Sequence, residues 1–231
     1  MLGCVGFVRF GPLATAPASA AASAQSEAPG RWSAVSQLLR KRQFLVVCAL
    51  SFTVTLMRES FNTWSVDFLI SVQGGVKSVA AAALQSVGFD LAGAVSILGA
   101  GWAYDRVSPQ RRRWFMASML ASLAAVLLVL PGVAAAAPLA GAALLGLVGL
   151  LVYGPYSLLA GALAVETGGA HLAATSAGII DGVGYIAGAL AGAVLGRALD
   201  VGGYALGLKL LALVTAISAV LALGLRARPQ S

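Results

Sequence analysis

Arg58 is a charged residue within a long apolar stretch, which makes it the first candidate for chemistry. The stretch begins at Phe44, and on a helix Arg58 lies about 21 Å along it. That depth is inside a hydrocarbon layer roughly 30 Å thick, where a charge costs at least ~2.5 kcal/mol and normally faces a polar interior. A planar guanidinium suits an oxyanion such as phosphate or carboxylate. An internal salt bridge that only fixes helix packing explains Arg58 equally well.

Two aspartates lie at similar depth in other apolar stretches. Asp90 is the twelfth residue from Val79, and Asp181 is the tenth from Leu172. Each is costly alone, whereas convergence of Arg58, Asp90 and Asp181 on one cavity would offset much of that cost. We therefore expect them to form a substrate site, and a structural ion-pair network is the alternative. Glu59 lies about 100° around the helix from Arg58 and need not face the same way.

The composition indicates which elements hold these charges. Of 231 residues, 59% are hydrophobic and only 10% are charged, whereas a soluble domain carries about 25% charged residues. The apolar runs are too long and uniform for the alternating strands of a β-barrel. The sequence therefore predicts an all-α polytopic membrane protein, and its 28 glycines suit close helix contacts in lipid.

Polar or Gly/Pro-containing segments divide the chain into six predicted membrane spans. The third is expected to stop at Pro131-Gly132, and the fourth to be interrupted at Tyr153-Gly154-Pro155, a break that could bend during gating. The predicted spans are approximately Phe44–Ile70, Val79–Tyr104, Trp114–Leu130, Pro138–Val165, Leu172–Leu199 and Tyr204–Leu225.

The distribution of basic residues predicts the orientation of these spans. With the N-terminus in the cytoplasm, eleven of the fifteen basic residues fall on the cytoplasmic side, as the positive-inside rule requires. Both termini are then cytoplasmic. The eleven are Arg9, Arg31, Arg40, Lys41, Arg42, Arg106, Arg111, Arg112, Arg113, Arg226 and Arg228.

The remaining segments predict little chemistry. Residues 1–43 read as a cytoplasmic low-complexity loop or linker, residues 44–225 as the six-helix bundle, and residues 226–231 as a cytoplasmic tail. Two separated cysteines and one histidine predict no disulfide framework, no metal site and no cofactor. We find no nucleophile–base pair, metal cluster or phosphate loop, so we do not expect an enzyme. The distribution of the basic residues favours a membrane surface over a nucleic-acid partner.

Several short motifs together resemble the C-terminal half of a transporter of the major facilitator superfamily. Gly101, Asp105 and Arg106, followed by Arg111 and Arg112, resemble that superfamily's loop motif between paired helices. The resemblance covers about residues 36–225, and it rests on the order and spacing of the motifs rather than on any one of them.

More narrowly, the organophosphate:phosphate antiporters and sugar-phosphate exchangers are suggested. Arg58 with Trp64 resembles their substrate-arginine helix, and Asp90 falls where the family carries an intramembrane acid. Tyr153-Gly154-Pro155 matches a family tripeptide, and residues 177–182 (AGIIDG) resemble the eukaryotic sugar-phosphate exchangers. Thr63 departs from the bacterial members, which have an acid there, and Glu59 beside Arg58 is unusual.

The resemblance implies transport of glycerol phosphate or a sugar phosphate in exchange for inorganic phosphate. Arg58 would bind the phosphoryl oxygens, with Asp90 and Asp181 as counter-charges. The family has twelve spans, so the chain reads as a truncated product, as one half of a split transporter, or as one copy of a homodimer. A non-transporting organophosphate sensor and a non-functional fragment are the alternatives. The ester and the membrane are left open.

Overall fold

The computed structural model describes residues 31–72, 78–169 and 171–225, and every element in these ranges is helical. Residues 1–30 of the predicted loop 1–43, and the whole predicted tail 226–231, therefore lie outside the described residues. The helices are α1 Arg31–Leu39, α2 Arg42–Val72, α3 Val79–Arg106, a 3₁₀ turn Pro109–Arg111, α4 Arg112–Ala136, α5 Pro138–Leu158, a π-helical segment Leu159–Leu163, α6 Ala164–Gly168 and α7 Ala173–Ala222.

Five stretches of these helices are long and apolar enough to cross a membrane. The last of them, α7, has 50 residues, which as a straight helix would be about 75 Å long, more than twice the hydrocarbon thickness of roughly 30 Å. It is instead broken at Gly202 and Gly203, so it supplies two spans. The predicted architecture of six membrane helices is confirmed.

The break in α7 depends on the backbone of Gly203. Its φ of 63° and ψ of −169° lie in a region that side chains exclude, so glycine is needed there. The second arm of α7, residues 204–222, folds back on the first, residues 173–201. A Cβ added to Gly207 would lie 2.8 Å from Leu195 Cδ1, which shows how closely the arms approach.

The end of α4 differs from the prediction at Pro131. The helix continues through this proline to Ala136, because neighbouring groups in a membrane bundle can compensate for the missing N–H. The turn comes instead at Ala137, whose backbone is extended (φ −144°, ψ 97°). Pro138 favours that conformation in the preceding residue and itself occupies the first turn of α5.

The predicted interruption at Tyr153-Gly154-Pro155 was also wrong in position. The α-helix α5 runs through all three residues to Leu158, and the irregularity is the π-helical segment that follows at Leu159–Leu163. Pro155 has no N–H to donate within the helix, while its carbonyl accepts from the Leu159 N–H. The irregular backbone therefore begins one turn after the proline.

Small residues bring the helices close together. Gly149 of α5 packs on the backbone of α3, where a Cβ would overlap the Phe89 carbonyl oxygen. Gly184 of α7 packs on Ser51 and Thr55 of α2, and Ser51 Oγ donates 2.9 Å to the Ile180 carbonyl. Small-residue contacts and interhelical hydrogen bonds of this kind drive association in lipid.

Polar contacts identify the two ends of the bundle. One end of the bundle, which we call the basic end, carries Lys41 at the start of α2 and Arg111–Arg113 at the start of α4. There Lys41 Nζ donates 3.3 Å to the Thr167 carbonyl, and Arg112 pairs with Glu166. At the opposite end, the Tyr204 hydroxyl donates to Asp67 beside the α7 break. The starts of α2 and α4 thus share an end with α6, as the predicted alternation of spans requires.

Candidate functional site

Arg58 lies in the middle of α2 with its side chain only 14% exposed. Nε and Nη2 donate 3.0 and 2.5 Å to Glu59 Oε1, and the guanidinium carbon lies 4.1 Å from the centre of the Tyr156 ring on α5. The ring face attracts the cation and the carboxylate neutralises it. Arg58 is therefore held by its sequence neighbour and by an aromatic ring, and neither partner was predicted.

Asp90 on α3 is joined to α5 rather than to Arg58. Its Oδ1 accepts a hydrogen bond of 3.0 Å from the Tyr153 hydroxyl, and Asn62 of α2 lies next to the same hydroxyl. The Tyr153 ring packs edge-on against Phe89, with centroids 5.4 Å apart. Packing thus fixes the phenol, and its hydroxyl holds the Asp90 carboxylate at one place on the bundle.

Asp181 on α7 approaches the same region from the other side. It is half-buried, and both it and Tyr185 lie within electrostatic range of the Tyr156 hydroxyl. Among the described residues Asp181 forms no ion pair, since the pairs found there are Arg58–Glu59 and Arg112–Glu166. Arg58 and the two aspartates therefore gather around Tyr153 and Tyr156 of α5.

We call this surface the polar face. It joins four helices at membrane depth, and it carries one arginine and three carboxylates, a formal net charge of −2. Tyrosines at positions i and i+3 of α5 share one side of the helix, which is the sequence signal that could have identified them. The polar face consists of Arg58, Glu59, Asn62, Asp90, Tyr153, Tyr156 and Asp181.

The predicted loop motif lies at the basic end, away from the polar face. Gly101 is half-buried in α3, and Asp105 and Arg106 are exposed. The Arg106 guanidinium stacks on the Trp102 ring, 3.8 Å from its centre. Within the described ranges neither Asp105 nor Arg106 forms an ion pair.

The interhelical contact at this end joins Arg112 of the predicted motif to Tyr104 and Glu166, two residues that sequence reasoning passed over. Arg112 at the start of α4 pairs with Glu166 of α6, and the buried Tyr104 donates 3.2 Å to the same carboxylate oxygen. The Arg112 guanidinium also lies 4.5 Å from the Tyr104 ring centre. These three side chains link α3, α4 and α6 into one unit.

In the Tyr153-Gly154-Pro155 tripeptide the glycine serves packing. A Cβ at Gly154 would lie 2.6 Å from Met119 Cε and 2.8 Å from Ser96 Oγ, so α3 and α4 approach α5 here with no room for a side chain. Ser96 Oγ also donates to the Leu150 carbonyl. The tripeptide thus combines a ring of the polar face, a close contact, and the proline that precedes the π-helical segment.

Comparison with known proteins agrees with this architecture. The sequence model described as Major Facilitator Superfamily matches residues 1–192, which is more than half of the chain. The chain belongs to the Major Facilitator Superfamily. No curated protein and no solved structure matches it significantly.

Membership of the Major Facilitator Superfamily fixes the coarse function. Its members are membrane transporters rather than enzymes, so this is a multi-pass integral membrane protein of a transporter family in contact with the lipid bilayer. The match extends from residue 1 into the first arm of α7 and includes every helix that contributes to the polar face.

Proposed function

We propose that this chain acts as a six-span half of a secondary transporter that exchanges a phosphorylated small metabolite, glycerol phosphate or a sugar phosphate, for inorganic phosphate. The observation that carries the proposal is Arg58, a guanidinium at mid-membrane depth on a polar surface shared by four helices. Guanidinium groups bind phosphate through paired hydrogen bonds. The motif resemblance of Arg58, Asp90 and residues 177–182 supports the same substrate class.

Exchange of partners at Arg58 provides a mechanism. Glu59 occupies Nε and Nη2, and Nη1 takes no part in those two bonds. An arriving phosphate would bind Nη1 first and then displace the Glu59 carboxylate from the other two nitrogens. Tyr156 would keep the guanidinium plane in place by stacking during this exchange. Asp90 and Asp181 serve as counter-charges that rearrange as the site alternates between the two sides.

The π-helical segment supports a gating role for α5. It begins three residues after Tyr156 and continues into α6, which carries Glu166. Single π-helical turns are frequent at functional sites, and this one connects the polar face to the ion pair at the basic end. We propose that Gly101, Asp105, Arg106 and the 153–155 tripeptide act in this conformational change rather than in substrate binding.

The proposal also covers which protein packs on the polar face and which side of the membrane the basic end faces. The polar face is open on the bundle surface, since Asn62 and Asp90 are exposed, and such groups are costly in lipid. We propose that a second six-span half, or a second copy of this chain, covers them. The positive-inside rule places the basic end and both termini in the cytoplasm.

Substitution of Arg58 tests the proposal. The chain is reconstituted with a matching N-terminal six-span half into proteoliposomes preloaded with phosphate, and uptake of labelled phosphate is measured. Arg58→Ala and Arg58→Lys should each lower exchange by about 100-fold or more, because lysine keeps the charge but loses the planar fork. Glu59→Gln removes the competing carboxylate and should lower the KM for phosphate.

Matched controls separate binding from folding. Arg42→Ala removes an exposed arginine from the first turn of α2, outside the polar face, and should leave exchange unchanged. Full exchange by a folded Arg58→Ala protein would remove the arginine from the site. Binding of the ester without flux would favour the sensor.

The charge of the polar face favours a second candidate, transport of an organic cation driven by a proton gradient. Three carboxylates outnumber one arginine that is already paired, and net negative sites attract cations. Uptake that follows an imposed pH gradient and ignores phosphate on either side would select this candidate over exchange.

A further inference from the structure

A cavity lined by several charged and aromatic side chains lies at the end of the bundle opposite the basic end, between the last turn of α2 and the break in α7. Its volume is about 930 Å³, and it is lined by Trp64, Asp67, Arg197, Asp200 and Tyr204 together with small residues of α7. Asp67 is nine residues beyond Arg58, about 14 Å further along α2. The cavity is therefore separate from the polar face and lies at the level where the spans end.

The charges that line this cavity are only partly compensated. Asp67 accepts a hydrogen bond from the Tyr204 hydroxyl. Arg197 and Asp200 are both exposed, and within the described ranges neither forms an ion pair or a hydrogen bond. Among the described residues, Arg197 and Asp200 are thus an unpaired cation and an unpaired anion that line the same cavity, three residues apart on one helix. A ligand that satisfies both must carry both signs.

The cavity walls add an aromatic ring and open space. The Trp64 indole lies against α7, where a Cβ at Gly196 would be 3.5 Å from Cζ2. Indole rings attract ammonium groups through their faces. Nothing lies within 4 Å of a Cβ built on Gly192, which also lines the cavity. The walls therefore leave room for a ligand next to a ring suited to a cation.

We propose that this cavity binds a small zwitterion in which an ammonium group is joined by a short carbon chain to a phosphate. The phosphate binds the Arg197 guanidinium, and the ammonium lies between the Asp200 carboxylate and the Trp64 ring. A neutral zwitterion compensates both Arg197 and Asp200, whereas phosphate alone would leave the Asp200 carboxylate unopposed and a simple cation would leave the Arg197 guanidinium unopposed.

The spacing of the two charges selects the length of the carbon chain. Side chains three residues apart on a helix have Cβ atoms about 5–6 Å apart, so the ligand's two charges must be separated to a similar degree. A phosphoethanolamine group, with two carbons between nitrogen and phosphate oxygen, fits this better than an α-amino acid. The same group occurs in ethanolamine phospholipids and in soluble glycerophosphoethanolamine.

Binding by the purified chain tests the proposal without any transport assay. Isothermal titration calorimetry in detergent compares glycerophosphoethanolamine with glycerol phosphate and with ethanolamine. We expect saturable binding of the zwitterion that is about tenfold or more tighter than either single-charge fragment, as for loss of one charge-assisted contact. If glycerol phosphate bound as tightly as glycerophosphoethanolamine, the ammonium group would add nothing and the proposed preference for a zwitterion would be wrong.

Three substitutions examine the cavity itself. Arg197→Gln and Asp200→Asn should each weaken zwitterion binding by about tenfold or more. Gly192→Leu should place a side chain inside the cavity and weaken binding, while Gly178→Leu, also on α7 with nothing within 4 Å of its Cβ and outside the cavity, should not. Unchanged affinity in folded Arg197→Gln and Gly192→Leu proteins would overturn the site.

A second experiment tests whether the ligand comes from the membrane or from solution. Native mass spectrometry of the chain from vesicles containing phosphatidylethanolamine, against vesicles containing phosphatidylcholine, reports retained lipid. Retention of the ethanolamine lipid, reduced in Gly192→Leu, supports the site with a membrane source. Binding in the calorimeter without retention of lipid supports a binding site whose ligand is a soluble molecule. Absence of both overturns it.

Discussion

Two neighbours stabilise the charge of Arg58 within the apolar interior of the membrane. Its carboxylate partner is adjacent in sequence, and its ring partner comes from another helix. In a medium of low dielectric constant both contacts are stronger than in water. The pairing of Arg58 with Glu59 was not predicted, because 100° of helical rotation separates their backbones but not the ends of two long, flexible side chains.

The Asp90–Tyr153 hydrogen bond gives the first residue-scale prediction. Asp90→Asn and Tyr153→Phe should each lower exchange about tenfold or more in the assembly, since a hydrogen bond to a charged group is worth about 1.5–3 kcal/mol. Asp181→Asn should have a smaller effect, because Asp181 holds no hydrogen bond among the described residues. The measurement is initial phosphate uptake per folded protein.

A control on the same helix accompanies this series. Ser86→Ala on α3 removes a hydroxyl that bonds only the Ala83 carbonyl one turn earlier, and its exchange rate should equal that of the unmodified chain. Wild-type exchange in both Asp90→Asn and Tyr153→Phe would show that this pair serves packing alone.

At the scale of residues, the sequence predicts the depth of the charged side chains better than it predicts which side chains contact them. The depth of Arg58, Asp90 and Asp181 follows from counting along apolar runs, and the structure gathers them around α5. Their actual neighbours, Tyr153 and Tyr156, depend on the rotation of α5. That rotation is set by close contacts such as Gly154 with Ser96, which no single segment reveals.

Helix packing between α3 and α5 gives an element-scale prediction. Gly149→Ala places a Cβ against the Phe89 backbone, so the helices must separate. We expect a loss of about 1–3 kcal/mol in stability, the usual cost of overpacking. Gly146→Ala, one turn earlier, is the matched control, because its Cβ would meet Gly88 at an ordinary 3.4 Å.

The measurement is the thermal midpoint of unfolding in detergent, followed by tryptophan fluorescence. A lower midpoint for Gly149→Ala than for Gly146→Ala is expected. Equal midpoints would mean that α3 and α5 adjust at no cost, and that glycine at this place is not required for packing.

Helix positions follow from the sequence, and helix irregularities do not. The lengths of the apolar runs and the segments that separate them place the spans well, whereas Pro131 and Pro155 lie inside helices. Proline usually ends or kinks a helix in soluble proteins because it removes one backbone hydrogen bond and its ring clashes with the carbonyl of residue i−4. In a membrane bundle neighbouring helices satisfy that carbonyl or the helix adjusts locally, so the stop signal weakens.

The orientation of the whole molecule in the membrane can be tested by chemical labelling of one loop at each end of the bundle. Single cysteines at Ser108, in the loop of the basic end, and at Gly75, in the segment between α2 and α3, are introduced after replacement of Cys4 and Cys48. In sealed cells an impermeant maleimide should label Gly75→Cys and spare Ser108→Cys, because the positive-inside rule predicts that the basic end faces the cytoplasm.

Permeabilised cells provide the control, in which both positions should react. Labelling of Ser108→Cys in sealed cells, with Gly75→Cys spared, would reverse the orientation of all six spans and place the cavity at the opposite end in the cytoplasm.

The open polar face leads to the last prediction, at the scale of the assembly. Six helices bury an apolar core of their own, yet Asn62 and Asp90 stay exposed on their surface. A phosphate bound there would meet one arginine that is already paired, which is half of a two-sided clamp. We therefore expect no phosphate exchange by this chain alone and restored exchange when a matching N-terminal six-span half is supplied. The comparison uses proteoliposomes of equal protein content, with cross-linking to report copy number. Vigorous exchange by the chain alone, accompanied by a cross-linked pair, would instead identify a homodimer in which a second polar face completes the clamp.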